Sequence, residues 1–90
     1  MHLILYRKPD CHLCEGLQEK LETIAQSAPD LALTLELRDI TTRDDWFAAY
    51  QYEIPVLCNG DTGQVIPRPS PRATVVHLEQ MLRRTLGSNG

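Results

Sequence analysis

The sequence predicts an α/β domain built on one four-stranded mixed sheet with helices on both faces, its elements in the order β-α-β-α-β-β-α. Three observations carry that expectation. Apolar residues switch between short continuous or alternating runs and runs spaced three and four apart, the mark of strands interleaved with helices. The chain opens on a strand-helix-strand unit, and a right-handed crossover makes those two strands parallel. Later, two short apolar runs flank Asn59-Gly60-Asp61-Thr62-Gly63, which predicts an antiparallel hairpin.

Taken in order, Leu3-Ile4-Leu5-Tyr6 is a continuous apolar run closed by Arg7-Lys8-Pro9-Asp10, and reads as a central strand buried on both faces. From Leu13 the period changes. Leu13, Leu17, Leu21, Ile24 and Ala28 form one helical stripe, Glu15, Gln18, Glu19 and Glu22 face away, and Pro29 stops the helix after Ser27. Leu31, Leu33, Leu35 and Leu37 then alternate with Ala32, Thr34, Glu36 and Arg38, as in a strand with one buried face toward a sheet edge.

Thr42-Arg43-Asp44-Asp45 offers an N-cap and first-turn acids for a short helix through Trp46, Phe47 and Tyr50, whose aromatic rings are read as core packing. Strands follow at Ile54–Cys58 and Gln64–Ile66, with Asn59-Gly60 supplying the positive φ angles of the turn. Ser70-Pro71 serves as N-cap and first residue of the last helix, in which Val75, Leu78, Leu82 and Leu86 make the apolar stripe and Arg83, Arg84 and Gly87 suit the end.

Ninety residues, 42% of them hydrophobic, suffice for one core and one domain, here 1–87 with a frayed tail at 88–90. Net stability for such a domain is on the order of 5–10 kcal/mol. Nine basic residues against 12 acidic ones give a net charge of −3, and the basic ones are scattered, so nucleic-acid binding is not expected. The apolar start is too short for a signal-peptide core or a membrane span, which predicts a cytoplasmic, soluble monomer with no membrane partner. Three cysteines, two of them separated by only two residues, are unlike the framework of a disulfide-stapled secreted domain.

The chemistry gathers at Cys11-His12-Leu13-Cys14, on the junction between the first strand and the first helix. There the Cys11 sulfur meets the unpaired N–H groups and positive pole of the helix, which favour a thiolate. A thiol with pKa near ~8.5 is only about 3% ionised at pH 7, whereas one near ~6 is about 90% ionised. Lys8 and a protonated His12 favour the thiolate and Asp10 opposes it, for a moderate net lowering. Cys14, one turn deeper, can close a disulfide with Cys11 yet is more shielded, so Cys11 is expected to attack and Cys14 to resolve.

Lys8-Pro9-Asp10-Cys11-His12-Leu13-Cys14 after a buried strand, with Ile54-Pro55-Val56 opening a later one, resembles the glutaredoxin branch of the thioredoxin superfamily, especially its small glutaredoxin-like bacterial proteins. The resemblance covers most of the chain by element order and implies a thioredoxin-like, glutaredoxin-type fold. It implies that Pro55 is cis and faces the cysteines, and that the Ile54 backbone hydrogen-bonds an incoming disulfide. Two departures bear on substrate. His12-Leu13 replaces the usual Pro-Tyr, and Pro67-Arg68-Pro69-Ser70-Pro71-Arg72 replaces the Gly-Gly and Asp stretch that holds glutathione. Arg68 and Arg72 are read as solvated rather than as carboxylate binders. The arsenate-reductase branch is disfavoured because Glu15 and Gly16, not an arginine, follow Cys14.

The expected function is thus thiol-disulfide oxidoreduction, with Cys11 and Cys14 as catalytic pair and Lys8, His12, Leu13, Ile54 and Pro55 as substrate contacts. Such an enzyme serves electron transport and cell redox homeostasis. Expected partners are disulfide-containing proteins or glutathione mixed disulfides, with no bound cofactor and glutathione admitted as co-substrate. The alternative is a non-catalytic module of the same fold, a metal or iron–sulfur carrier or a protein-interaction domain. Zinc held by Cys11, Cys14, His12 and Cys58 is the chemical rival, disfavoured because no second ligand pair is present. Cys58 is expected to be a half-buried, inert strand residue.

Overall fold

A computed structural model describes residues 1–86, so Gly87 and the tail Ser88-Asn89-Gly90 lie outside the described residues, as does the side chain of Leu86. The elements are β1 (His2–Arg7), α1 (His12–Ser27), a 3₁₀ turn (Pro29–Leu31), β2 (Thr34–Asp39), a second 3₁₀ turn (Ile40–Thr42), α2 (Asp44–Tyr50), β3 (Val56–Asn59), β4 (Val65–Ile66) and α3 (Val75–Leu86). They form a four-stranded sheet in the order β2-β1-β3-β4. β1 runs parallel to β2, from His2 opposite Thr34 to Arg7 opposite Asp39, and antiparallel to β3, with Leu3 opposite Asn59 and Tyr6 opposite Val56. β3 and β4 close the antiparallel hairpin, Leu57 facing Ile66.

The continuous apolar run of β1 is explained by two separate cores. Leu3 and Leu5 point to one face, where Leu17, Leu21 and Ile24 of α1 and Leu78 and Leu82 of α3 cover them. Ile4 and Tyr6 point to the other, with Ile40, Val56 and Cys58, under Trp46 and Tyr50 of α2. Helices therefore lie on both faces, as a strand with no solvent side requires. The described residues contain no buried charged group, and no helix is long and apolar enough to cross a membrane.

Several local expectations shift. In α1 the inward stripe begins at Cys14, which is fully buried, whereas Leu13 is 48% exposed. The alternation read as a strand from Leu31 starts as one only at Thr34. Pro29 opens a 3₁₀ turn that carries Leu31, and Ala32 leaves it in the left-handed region at φ 48°. β2 is an edge strand, but Leu37 is exposed and the buried residue at that end is Ile40. Thr42 does not cap α2. Asp39 accepts the Thr41 N–H at 2.9 Å and so caps the 3₁₀ turn instead, and α2 begins with Arg43 as a cap residue whose side chain pairs with Asp45 and caps no helix N–H.

The hairpin turn takes its positive φ at Gly63 (77°) rather than at Asn59-Gly60. Gly60 packs closely on the His2 ring, into which a Cβ there would project. At the last helix Thr74, not Ser70, is the cap, accepting the His77 N–H at 3.1 Å. Ser70-Pro71 instead makes a turn, closed by the Ala73 N–H donating to the Ser70 carbonyl at 2.9 Å. Arg83 of α3 donates to Asp30 in the 3₁₀ turn after α1 at 2.9 Å and to Glu79 of its own helix at 3.0 Å, and its guanidinium holds the Asp30 carboxyl below the usual carboxylate range.

Two predictions follow from this packing. Leu21→Ala, at a site with no exposed surface, should lower unfolding free energy by about 2–5 kcal/mol, whereas Leu13→Ala should change it by less than about 0.5 kcal/mol; urea titration of both variants reads the contrast. The second concerns Cys58, which is fully rather than half buried, and whose thiol burial pushes above the usual range. Below about pH 8.5 both the folded and unfolded chains keep that proton. Above it the unfolded chain loses the proton and the folded one does not, so stability declines as pH rises through that window. Cys58→Val should show a shallower decline between pH 7 and 9.5 in the same titration.

Candidate redox site

β1 ends at Arg7 and the chain turns through Lys8-Pro9-Asp10, with Asp10 at φ 62°, a left-handed conformation that aspartate tolerates better than most residues. Cys11 then sits at the N-cap of α1 in extended backbone, and its Sγ accepts the Cys14 N–H at 3.2 Å. A serine or aspartate oxygen ordinarily fills that role. Sulfur does so here, pairing one N–H that the helix start leaves open, at the positive end of the helix. Cys11 and Cys14 are joined as a disulfide with Cα atoms 5.2 Å apart. Their access differs: Cys14 is fully buried, and Cys11 is partly exposed.

His12, Leu13 and Pro55 come together beside this pair. Pro55 follows a cis Ile54–Pro55 bond, as the resemblance implies, and faces the start of α1 across a groove of about 190 Å³. Gly16, Leu17 and Lys20 continue the α1 wall, and the opposite wall is the segment 68–73. The His12 imidazole is almost wholly in solvent, 3.6 Å from the Glu15 carboxylate. Lys8 is exposed in the turn and does not line the groove. Ile54 packs with Trp46 and Tyr50 on the other core, and its N–H donates to the Tyr50 carbonyl at 3.1 Å. That N–H is therefore already engaged within the chain.

The sequence reading missed Gly16, Lys20 and the loop wall, although a signal existed. His12, Gly16 and Lys20 recur every four residues, which places them on one helical face beside Leu13 and Leu17. The Lys20 ammonium donates to the Pro71 carbonyl at 3.0 Å and to the Ala73 carbonyl at 2.7 Å, so one side chain ties the proline-rich loop to α1. Of the two loop arginines Arg68 lines the groove and Arg72 does not; among the described residues Arg68 makes no ion pair.

Cys58 belongs to the core under α2, and among the described residues no group of three or more His, Cys, Asp or Glu is placed to hold a metal ion. What the arrangement can do chemically is open and close one disulfide, with one sulfur reachable and the other covered.

Lys20→Met keeps the aliphatic stem and deletes both loop bonds. Stability should fall by about 1 kcal/mol, and amide exchange should quicken selectively at Arg72 and Ala73, read by hydrogen exchange with mass spectrometry.

The glutaredoxin-like domain family (DUF836) matches residues 2–83 of the chain. Among solved structures, the structural-genomics target protein XcR50 from X. campestris is 25% identical, with a TM-score of 0.66 over 92% of this chain and 97% of that one. Thioredoxin 1 from Thermosipho africanus TCF52B is 18% identical, with a TM-score of 0.64 over 97% of this chain and 96% of that one, a likeness of fold. No curated protein matches the chain.

Proposed function

Since the chain belongs to the glutaredoxin-like domain family, we propose that it is a dithiol thiol-disulfide oxidoreductase in which Cys11 attacks and Cys14 resolves. The observation that carries this reading is the asymmetry of the pair: a partly exposed N-cap sulfur that accepts a helix N–H, bonded to a sulfur with no exposed surface.

In the reduced protein the Cys11 thiolate attacks one sulfur of a substrate disulfide. A Cys11–substrate disulfide forms, and the other substrate sulfur leaves as a thiolate that takes a proton from water. Cys14 loses its proton and attacks the Cys11 sulfur, expelling the second substrate thiolate. Two electrons have then passed to the substrate, and the Cys11–Cys14 disulfide remains until an external thiol or dithiol donor reduces it. The Cys14 N–H that meets the Cys11 sulfur stabilises negative charge there each time Cys11 is the attacking or leaving group. Covering Cys14 restricts a first encounter to Cys11.

Around that chemistry, His12, Leu13 and Pro55 contact the substrate, the Ile54 carbonyl meets its backbone, and Lys8 adds positive charge at the rim. The domain, residues 1–87, works as a cytoplasmic monomer on disulfide-containing proteins or glutathione mixed disulfides, serving electron transport and redox homeostasis without a bound cofactor. Glutathione is a candidate donor.

Trapping tests the roles directly. Reduced Cys14→Ser protein mixed with a disulfide substrate should accumulate a covalent adduct at Cys11, seen by non-reducing mass spectrometry, and Cys11→Ser should form none and lose turnover. Absence of any adduct on Cys14→Ser, or metal-linked absorbance that disappears with Cys11→Ser, would overturn the reading in favour of a binding module.

A further inference from the structure

Two concavities meet at the candidate site, and their shared walls identify what they hold. The groove along α1 includes Pro55 and Arg68, and a second concavity shares the same two residues and runs past Tyr52 and Val65. Tyr52 is 91% exposed and Val65 56% exposed, so the trough is flanked by apolar side chains that nothing in the described chain covers. The groove itself is floored by aliphatic and proline carbons from Leu13, Leu17, Pro55 and Leu78. Its volume of about 190 Å³ falls below the roughly 300–1,000 Å³ of sites that enclose a small molecule. Alone it has room for a side chain, and joined to the second concavity, of about 370 Å³, it has room for several residues of a chain.

Charge then selects among polypeptides. Lys20 lines the groove, but its ammonium is engaged by two carbonyls, whereas Arg68 has no ion-pair partner among the described residues. Neutral carbonyls leave the Lys20 charge in place but occupy its donors, so Arg68, the one cation lining both concavities, is the one whose donors are unengaged among the described residues. Glu53 lines only the second concavity, where it repels an acidic residue. A carboxylate is thus drawn to Arg68 from the side of the α1 groove, which is lined by His12, the chain neighbour of Cys11.

We propose that this trough receives an extended polypeptide, seating an apolar side chain in the α1 groove and an acidic side chain on Arg68. This rests on the redox reading above and names its substrate class: a protein disulfide whose cysteine is flanked by an apolar and an acidic residue. Arg68 is the specificity-determining residue.

The test separates binding from turnover. A redox-inert peptide with serine in place of cysteine, flanked by leucine and glutamate, is titrated into the oxidised protein and followed by amide NMR shifts. It should bind roughly three- to tenfold more tightly than its lysine-for-glutamate counterpart, with shifts centred on Gly16 and Ala73 and an affinity that falls with salt. The preference should vanish in Arg68→Gln, reverse in Arg68→Glu and persist in Arg72→Gln. Equal affinity for the two peptides, or shifts centred away from the groove, would overturn the assignment, as would tighter binding of glutathione than of the acidic peptide. Reduction of 2-hydroxyethyl disulfide by the wild type reports on the redox reading alone. An inactive protein that keeps the peptide preference would retain the groove assignment and lose the chemistry, and an active one without the preference would do the reverse.

Discussion

Leu3-Ile4-Leu5-Tyr6 can be buried only where the strand has a neighbour on each edge and a helix layer on each face, and the rest of the molecule meets that requirement. β2 and β3 pair its edges. α1 and α3 cover Leu3 and Leu5, while α2 covers Ile4 and Tyr6. Since β1 is interior and α1 must return over one of its faces, the turn between them falls at the carboxyl end of a central strand. In open α/β sheets that is where strand ends and helix starts converge and leave a crevice. Cys11 occupies that turn because of where β1 must end, and the adjoining β3 brings Pro55 to the same end, since Tyr6 lies opposite Val56.

Burial and electrostatics then divide the two sulfurs. Cys14 replaces Leu13 as the first inward residue of α1, so packing against the core withholds it from solvent. Cys11 is kept at the surface because an N-cap residue lies outside the helical spiral and directs its side chain back along the first turn. The same geometry that stabilises the helix start also places a donor on the sulfur. Helix capping and the polarity around the sulfur are here one interaction, not two.

How much of this was legible depended on whether the deciding contact was local. The strand-helix alternation, the antiparallel hairpin and the cysteine pair at a helix start are encoded in periodicity and spacing, and they appear in place. The phase at element ends was not legible. Leu13 fits the helical stripe as well as Cys14 does, and only the position of β1 beneath the helix decides between them. Leu37 fits the alternation and lies beside Leu5, yet it is exposed, and the residue buried at that end, Ile40, belongs to the core on the opposite face. Ser70-Pro71 and Thr42 carry good capping chemistry, but Thr74 and Asp39 stand where the chain actually turns. Lys20 was invisible for a different reason: its partners are backbone carbonyls, which have no residue identity to read.

That last contact has a wider consequence for the groove. Pro67, Pro69 and Pro71 have no N–H to donate, so the segment facing α1 is poor in the backbone bonds that ordinarily hold a loop in place. It does retain carbonyls, and an ammonium is the complementary partner for two of them at once. Lys20 therefore fixes the wall from across the groove, while the prolines restrict the φ angles of the segment it holds. A wall held in this way is ordered before a ligand arrives, which lowers the entropy lost on binding. It also separates the two cations by role. Lys20 spends its donors in building the groove, and Arg68, on the wall that Lys20 secures, keeps its donors unengaged among the described residues.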